Sequence, residues 1–394
     1  RSSDLLKVEG NIMKNNYQSR FVSTSASEKI EQITADMQGY LTGIRQKSEK
    51  KFVGVMHPVV PQELLYAAGL HPFRLFPFPG EPITAAHAHL HTATSSVFRA
   101  IWDQVLKERY PFMDAVVLPE SCETVTYFAR GWRYNRPHDF VATIAGVRFS
   151  KTGNALKFFC RELEALAKTF EKFSGTNISA DSLAQAIDIY NKNRELIRNI
   201  YDLRKSESPP LSGLEMLKAI MTSHIMDKEE NNRLLETYLE ELKNREKRPA
   251  PKVRLMVSGP CITDFRLLET LEAAGALVVI DDTNIGSRSF FFNVDDDPNQ
   301  FMALARAYNK IPCPFCLSAE NRLTHLINMA KEYRVDGLVF ALERGCEGEK
   351  MDFPYLEKEI TTKTKLPVLF IDTEYLCDMA PIRTRIDAFI ESLI

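Results

Sequence analysis

The chain of 394 residues is 44% hydrophobic, and its 50 basic and 52 acidic residues give a net charge of −2. This balance offers no basic surface for nucleic acid or an anionic membrane, and no stretch of about 18 apolar residues could span a bilayer. The first residues lack a charged segment followed by an apolar one, so we expect a cytoplasmic protein.

The first part of the chain predicts a helical lead-in followed by an α/β domain. Residues 1–50 form the lead-in, with an amphipathic helix expected over 27–47. Residues 51–154 form the first α/β domain, because strand-like and helical stretches alternate there, as they do in a parallel sheet. Its strands are expected at 52–56, 73–76 and 114–118.

The second part predicts a helical segment and then another α/β domain. Residues 155–250 show long helical periods and end in a proline-containing linker, whereas residues 251–394 alternate strand and helix again. A short likeness between 113–118 and 335–340, each leading to a cysteine, indicates that the two domains are structural repeats. We therefore predict an α/β protein with two Rossmann-like (flavodoxin-like) parallel-sheet domains joined by a helical segment.

The cysteines are the main indication of chemistry. Their number, seven, is odd, and the chain has the size of an intracellular enzyme, so reduced thiols are favoured over a disulfide framework. Functional groups in parallel sheets gather where strands give way to helices, and thiolates converging there from separate loops suggest an iron–sulfur cluster. Four cysteines occupy such positions: Cys122, Cys313, Cys316 and Cys346.

Several of these side chains have more than one interpretation. Cys313 and Cys316 could be a redox dithiol, a pair of metal ligands or two ordinary cysteines, although a thioredoxin-like fold would place such a pair early in a small domain. Cys261 and Cys377 are expected to be structural. His57, at the end of the first predicted strand, could act as an acid or base, or could be a hydrogen-bonded core histidine.

Two further patterns bear on ligands. The histidines at 87, 89 and 91 alternate, which a metal site or a solvated loop would explain. The chain contains neither a Gly-x-Gly-x-x-Gly fingerprint after the first strand nor a P-loop, so any ATP would be used by another protein.

Four segments occur in an order that identifies a family. They are 53–69, the Ser-Cys-Glu at 121–123, 310–314, and 332–337 with Cys346 beyond it. Taken together, from about residue 51 to the C-terminus, the chain resembles a subunit of the 2-hydroxyacyl-CoA dehydratase and benzoyl-CoA reductase family, of the D-component type.

The resemblance implies an enzyme subunit that acts on an acyl-CoA thioester, with a [4Fe–4S] cluster held between two α/β domains. It also implies an oxygen-sensitive, anaerobic complex with a related second subunit, usually as a heterodimer. Electrons would arrive singly from a separate ATP-dependent iron–sulfur activator. In the family's dehydratases the thioester becomes a ketyl radical anion that expels the neighbouring hydroxyl. In its reductases the electron enters an aromatic acyl ring.

The family's cluster-binding cysteines are only partly present. Two of the three match Cys122 and Cys346, but the third falls on or beside Ser95, and a serine oxygen is a poor substitute for thiolate. His57 also stands where the family commonly has Cys or Ser. Either Cys313 completes an altered cluster, or a histidine supplies a nitrogen ligand, or this subunit is a cluster-less, non-catalytic scaffold. We expect a cluster on the three cysteines, with Ser95 and His57 on the substrate side.

Overall fold

The computed structural model describes residues 25–145, 152–246, 249–314 and 316–394. Within these ranges the strands form two four-stranded sheets, and every pairing in them is parallel. This arrangement confirms the predicted α/β class with two Rossmann-like domains. The strands are β1 (Phe52–Val55), β2 (His71–Arg74), β3 (Ala115–Glu120), β4 (Phe140–Ala145), β5 (Val253–Gly259), β6 (Ala276–Thr283), β7 (Gly337–Glu343) and β8 (Val368–Thr373).

Helices flank both sheets and form the long segment between them. None of those in the described ranges combines the length and the apolar composition that crossing a membrane requires. In chain order they are α1 (Ala26–Ala35), α2 (Met37–Lys47), α3 (Gln62–Ala67), α4 (Ser96–Leu106), α5 (Glu123–Asn135), α6 (Gly153–Ser174), α7 (Ala180–Asp202), α8 (Gly213–Ile225), α9 (Lys228–Asn244), α10 (Phe265–Ala273), α11 (Gln300–Tyr308), α12 (Ala319–Glu332), α13 (Glu347–Thr364) and α14 (Met379–Glu391).

Some expectations need correction or lie outside the described residues. The single helix expected over 27–47 is two helices, because Asp36 leaves the helical conformation at φ −144° and its side chain accepts a hydrogen bond from the Gly39 amide as the N-cap of α2. Four parts of predicted segments are not described: 1–24 of the lead-in, 146–151 of the first α/β domain, 247–248 of the linker and residue 315 of the second α/β domain.

The two sheets have the same strand order. The first sheet runs β2-β1-β3-β4 and the second runs β6-β5-β7-β8. The short sequence likeness that indicated a repeat falls on β3 and β7, which occupy the same position in the two sheets. Both strands are buried on two faces and therefore read as nearly continuous apolar runs. The loops that follow equivalent strands thus come to equivalent places at the carboxyl ends of the sheets.

Helix α11 lies in the chain between β6 and β7 but packs on the first domain. Its Leu304 and Tyr308 belong to the buried cluster that contains the β1 and β3 side chains Val55 and Val117. The Tyr308 hydroxyl donates a 2.6 Å hydrogen bond to Glu63, which is also paired with a buried arginine of α7. The segment that follows α11 and carries the pair of cysteines is therefore anchored to the first sheet.

A buried lysine of α9, Lys228, makes stability depend on pH. Burial lowers its pKa to about 7, and its ammonium donates to the Ser223 carbonyl. In the unfolded chain a lysine titrates near 10.4, so between about pH 7 and pH 10 the unfolded state binds more protons than the folded state. The contribution of Lys228 to the unfolding free energy therefore increases as the pH rises, by up to about 1.4 kcal/mol per unit.

We expect the wild type to gain stability relative to Lys228→Met as the pH rises through this window, because the methionine variant lacks the titration. Urea unfolding in reducing buffer at about pH 7.5, 8.5 and 9.5 measures the difference. Lys243→Met is the matched control, since Lys243 is exposed on the same helix. A stability difference that stays constant with pH would contradict the prediction.

Candidate active site between the two sheets

A cavity of about 420 Å³ lies between the two domains, at the carboxyl ends of the strands of both sheets. Ligands of parallel α/β proteins commonly bind at this edge. The five residues expected to bind the cluster or to lie on the substrate side all line this cavity: His57, Ser95, Cys122, Cys313 and Cys346.

The lining loops follow equivalent strands of the two sheets. Cys122 comes after β3 and Cys346 after β7, while His57 comes after β1 and Cys261 after β5. Cys261 was expected to be structural, and only the equivalence of β1 and β5 could have placed it at the cavity. Four side chains with thiol or imidazole groups are thus supplied by two repeats of one arrangement.

Cys122 and Cys346 each stand immediately before a helix, α5 and α13 respectively. Neither side chain caps its helix, and the partial positive charge of a helix N-terminus favours a thiolate there. Burial nevertheless raises the pKa of Cys346 well above its ordinary value, and the nearby Glu349 and Glu343 add to the effect. Cys346 is therefore a thiol at neutral pH until a metal ion or cluster displaces its proton.

Cys313 contacts His57 across the cavity. The Cys313 Sγ lies 3.7 Å from the His57 Nε2, and the Val59 amide donates to Nδ1 of the same ring, so Nε2 carries the proton. Burial lowers the pKa of His57 well below its ordinary value, and the cations of Arg74 and Arg288 lower it further. His57 is therefore a neutral imidazole that donates from Nε2.

The other cysteine of the pair, Cys316, is buried but does not line the cavity. Burial raises its pKa well above the ordinary value, with a smaller contribution from Cys313. The two cysteines therefore have different surroundings, and only Cys313 faces the space between the sheets.

The Ser95 hydroxyl is used in a contact between the domains. It donates a 2.6 Å hydrogen bond to Oε1 of Glu343, the last residue of β7. The Ser96 hydroxyl and the Val97 amide donate to the same oxygen at 3.0 and 2.7 Å. Burial raises the pKa of Glu343, while these three donors lower it. Glu343 thus accepts hydrogen bonds from the start of α4 in the opposite domain, a contact that no sequence motif indicated.

Gly345 allows this approach of the two domains. Its φ is +87°, and a Cβ there would lie 2.6 Å from the Ala93 carbonyl oxygen and 2.5 Å from the Ser95 amide nitrogen. We expect Gly345→Ala to lower the unfolding free energy by more than the roughly 1 kcal/mol that a left-handed alanine costs, because the loops must also separate.

Gly80→Ala is the control for this prediction. Gly80 has φ +105° with nothing within 4 Å of the added Cβ, so its substitution tests the backbone conformation without the contact. Urea unfolding of both variants measures the difference. Equal losses of stability in the two variants would contradict a role for the contact at Gly345.

A buried ion-pair network supports the loop that carries Cys346. Glu349, in the first turn of α13, pairs with Arg288 at 2.5 Å and also with Arg322. Arg288 in addition binds Asp282 at 2.7 Å. Although burial raises the pKa of Asp282, the ion pair with Arg288 holds it well below its ordinary value. The network was not predicted because its members are separated in sequence and carry no motif.

The alternating histidines lie elsewhere. His87, His89 and His91 are exposed, and none of them lines the cavity. The His89 Nδ1 lies 3.0 Å from the side-chain oxygen of Asn135. They form a solvated loop, and among the histidines considered from the sequence only His57 is placed near the cysteines.

The thiols in the cavity are donor groups of the kind that iron–sulfur clusters use. Cysteines from three loops of both domains are the type of ligand set that such clusters use. Across the described ranges, no three His, Cys, Asp or Glu side chains are spaced to hold one metal ion.

Comparison with known proteins gives matches along nearly the whole chain. A benzoyl-CoA reductase subunit of Thauera aromatica is 24% identical over 365 residues, which cover 89% of this chain and 94% of that protein. The (R)-phenyllactyl-CoA dehydratase beta subunit of Clostridium sporogenes is 24% identical over 359 residues, covering 90% and 95%. The beta subunit of (R)-2-hydroxyglutaryl-CoA dehydratase from Acidaminococcus fermentans is 22% identical over 377 residues, covering 93% and 98%.

The family match agrees with these relatives and with the resemblance seen in the sequence. The profile described as 2-hydroxyglutaryl-CoA dehydratase, D-component, matches residues 58–393, which include both sheets except for β1. The relatives carry the names of acyl-CoA dehydratase and reductase subunits. This chain therefore belongs to the 2-hydroxyglutaryl-CoA dehydratase D-component family.

Proposed function

We propose that the chain is an iron–sulfur subunit of a 2-hydroxyacyl-CoA dehydratase-type enzyme, which acts on an acyl-CoA thioester by one-electron chemistry. The observation that carries the proposal is that Cys122, Cys313 and Cys346 line one cavity from three separate loops. These residues would hold a [4Fe–4S] cluster, which supplies single electrons when it is bound. Membership in the family supports the reaction class.

In this proposal the residues of the chain orient the thioester, exclude water and place a hydrogen-bond donor beside the leaving hydroxyl. Met56, Leu75 and Phe98 line the cavity and give it apolar walls that would exclude water from an acyl group. The thioester carbonyl takes up one electron, and the resulting ketyl radical anion expels the hydroxyl of the neighbouring carbon. His57 carries a proton at Nε2, facing the cavity, and as a neutral imidazole would stabilise the departing hydroxide by donating a hydrogen bond to it. Ser95 lines the same side and stays bound to Glu343.

The proposal includes two protein partners. A related second subunit would complete the enzyme, in keeping with the relatives, which are named as subunits. A separate ATP-dependent iron–sulfur activator would deliver the electron, and the missing P-loop and dinucleotide fingerprint support ATP use outside this chain. We place the reaction in the cytoplasm, where thiols stay reduced, and under anaerobic conditions, because oxygen would oxidise the proposed cluster and radical.

Two observations favour other candidates. The likeness to a protein named as a benzoyl-CoA reductase subunit favours a reductase-type protein that acts on an aromatic acyl-CoA. The serine at the position of the third family cysteine, whose hydroxyl is bound to Glu343, favours a cluster-less, non-catalytic scaffold that completes its partner's site.

The test is to purify the chain anaerobically with its co-purifying partner and to measure iron and acid-labile sulfide per chain. About four irons in a brown chain are expected for one cluster. The complex is then assayed, with activator and ATP, for dehydration of 2-hydroxyacyl-CoA and for reduction of aromatic acyl-CoA. A colourless chain beside an iron-containing partner would replace the proposal with the scaffold function.

A further inference from the structure

A fourth thiol lies in the cavity beside the three proposed cluster ligands. It belongs to Cys261, which follows β5 and lines the cavity together with Cys122, Cys313 and Cys346. Each of the four irons of a [4Fe–4S] cluster takes one ligand from outside the cluster, and in proteins these are commonly four thiolates. Three cysteines therefore leave one iron without a thiolate.

Ser95 and His57 also line the cavity, but both side chains are already engaged. The Ser95 hydroxyl donates to Glu343, the last residue of β7. The His57 Nδ1 accepts a hydrogen bond from the Val59 amide while Nε2 carries the proton, so neither ring nitrogen offers a lone pair to iron. A cysteine thiol, by contrast, gives up its proton when it binds a metal. The chemistry therefore favours Cys261 over both as the ligand of the remaining iron.

The strand register gives Cys261 the place in the second domain that His57 has in the first. Each of the two lies four positions after a strand residue whose partner on the neighbouring strand stands seven positions before Cys122 or Cys346. The paired strand residues are Val53 with Ala115 and Val257 with Val339. The His57 ring comes within 3.7 Å of the Cys313 thiol, so this place faces a proposed cluster ligand. Cys261 therefore enters the cavity from the opposite domain, about one strand spacing, roughly 5 Å, from the strand that leads to Cys346.

The buried guanidinium of Arg74 faces Cys261 and Cys313. Arg74 ends β2, is 3% exposed and lines the cavity, and its Nη1 has no hydrogen-bond partner in the parts of the chain that the structure describes. The thiols that act on it electrostatically are those of Cys261 and Cys313. A buried charge without a counter-charge is strongly unfavourable. Thiolates of both cysteines, bound to iron, would supply that counter-charge.

We propose that Cys261 is the fourth ligand of the cluster, so that every iron carries a thiolate and Arg74 balances part of the negative charge. The inference rests on the proposed function, because it takes the cluster from it. Binding forms a bond between iron and the Cys261 Sγ, and the thiol proton leaves to the solvent. Once four thiolates are bound, no iron keeps an open position. The cluster of this chain would then pass electrons on without binding the substrate hydroxyl through iron.

The first measurement is the iron and acid-labile sulfide content of the anaerobically purified complex that carries Cys261→Ala. We expect this variant to lose at least one of the about four irons that one cluster gives the wild-type chain, because the iron without a thiolate is released most easily. Cys377→Ala is the matched control, since Cys377 is also a partly buried cysteine of the second domain but does not line the cavity. It is expected to keep the wild-type iron content.

Chemical rescue separates a ligand from a packing residue. Ethanethiol, added with ferrous iron and sulfide, is expected to restore the lost iron to Cys261→Ala, because the cavity of about 420 Å³ has room for a small thiol at the place of the missing Sγ. Cys261→Ser is expected to keep more iron than the alanine variant. It is also expected to change the electron paramagnetic resonance spectrum of the reduced cluster, because oxygen replaces sulfur on one iron. If the alanine variant fails to fold, this spectrum decides.

The possible results distinguish the fourth ligand from the proposed function. Full iron in Cys261→Ala, or a loss of iron that ethanethiol does not restore, would overturn Cys261 as a ligand and leave the cluster on the other three cysteines. A spectrum of Cys261→Ser equal to that of the wild type would overturn it as well. A wild-type chain without iron would instead refute the proposed function, and the fourth ligand with it.

Discussion

Replacing Cys346 by alanine is expected to lower the iron content of the anaerobically purified chain from about four irons to fewer than one, and replacing Cys122 is expected to do the same. Both residues lie at the thiol end of the cavity, one from each sheet. Losing either would remove a ligand that one sheet supplies to the proposed cluster. Iron and acid-labile sulfide assays, with the absorbance that colours the protein, measure the effect.

Cys160→Ala is the control for these substitutions. Cys160 is buried in α6, lies outside the cavity and packs in the core. It is expected to keep the wild-type iron content. Cys313→Ala then tests the third ligand, with a similar loss expected if Cys313 replaces the cysteine missing at Ser95. Full iron in both the Cys122 and Cys346 variants would rule out a cluster at this site.

Replacing Arg288 by methionine is expected to lower the unfolding free energy by about 3 kcal/mol, the lower end of the cost of breaking a buried ion pair. Arg288 is fully buried and bridges Asp282 and Glu349, both of which are buried too. Without it Asp282 keeps the Ser258 hydroxyl and a 3.4 Å contact with His325, and Glu349 keeps its ion pair with Arg322. Urea unfolding of the purified chain measures the loss.

Two further variants make this prediction specific. Adding Asp282→Asn to Arg288→Met is expected to recover part of the loss, because the carboxylate that has lost its guanidinium partner is then removed. Arg344→Met is the surface control, since Arg344 is exposed, lies near the same loop and pairs with Asp372 and Glu374. Exposed pairs contribute less than about 1 kcal/mol, so its effect should be small. A loss of the same size in both arginine variants would contradict the account of the buried network.

Sequence reasoning located most helices and strands, and it failed where the hydrophobic pattern of a segment is weak. β1 and β3 were placed to within two residues, because strands buried on both faces form apolar runs. β2 lies two residues earlier than expected, and β4 was not predicted. β4 is at the edge of its sheet and only partly buried, so its sequence lacks such a run. The short repeat around Cys122 and Cys346 correctly indicated the common order of the two sheets.

The residues that line the cavity could be predicted only in part from the sequence. Residues at the carboxyl ends of parallel strands meet at one edge, so Cys122, Cys346 and His57 could be assigned to it from strand order alone. The contact of Cys313 with His57 could not, because it depends on α11 packing on the first sheet.

The sequence by itself determined the two parallel sheets, their repeat and the strand ends that carry the thiols, because these follow from local hydrophobic patterns. Only the tertiary structure decided how the two domains face each other. The contact of Ser95 with Glu343 and the unpaired guanidinium of Arg74 depend on that packing. Neither has a local signature, since hydrogen bonding and burial of a side chain are set by residues distant in the chain.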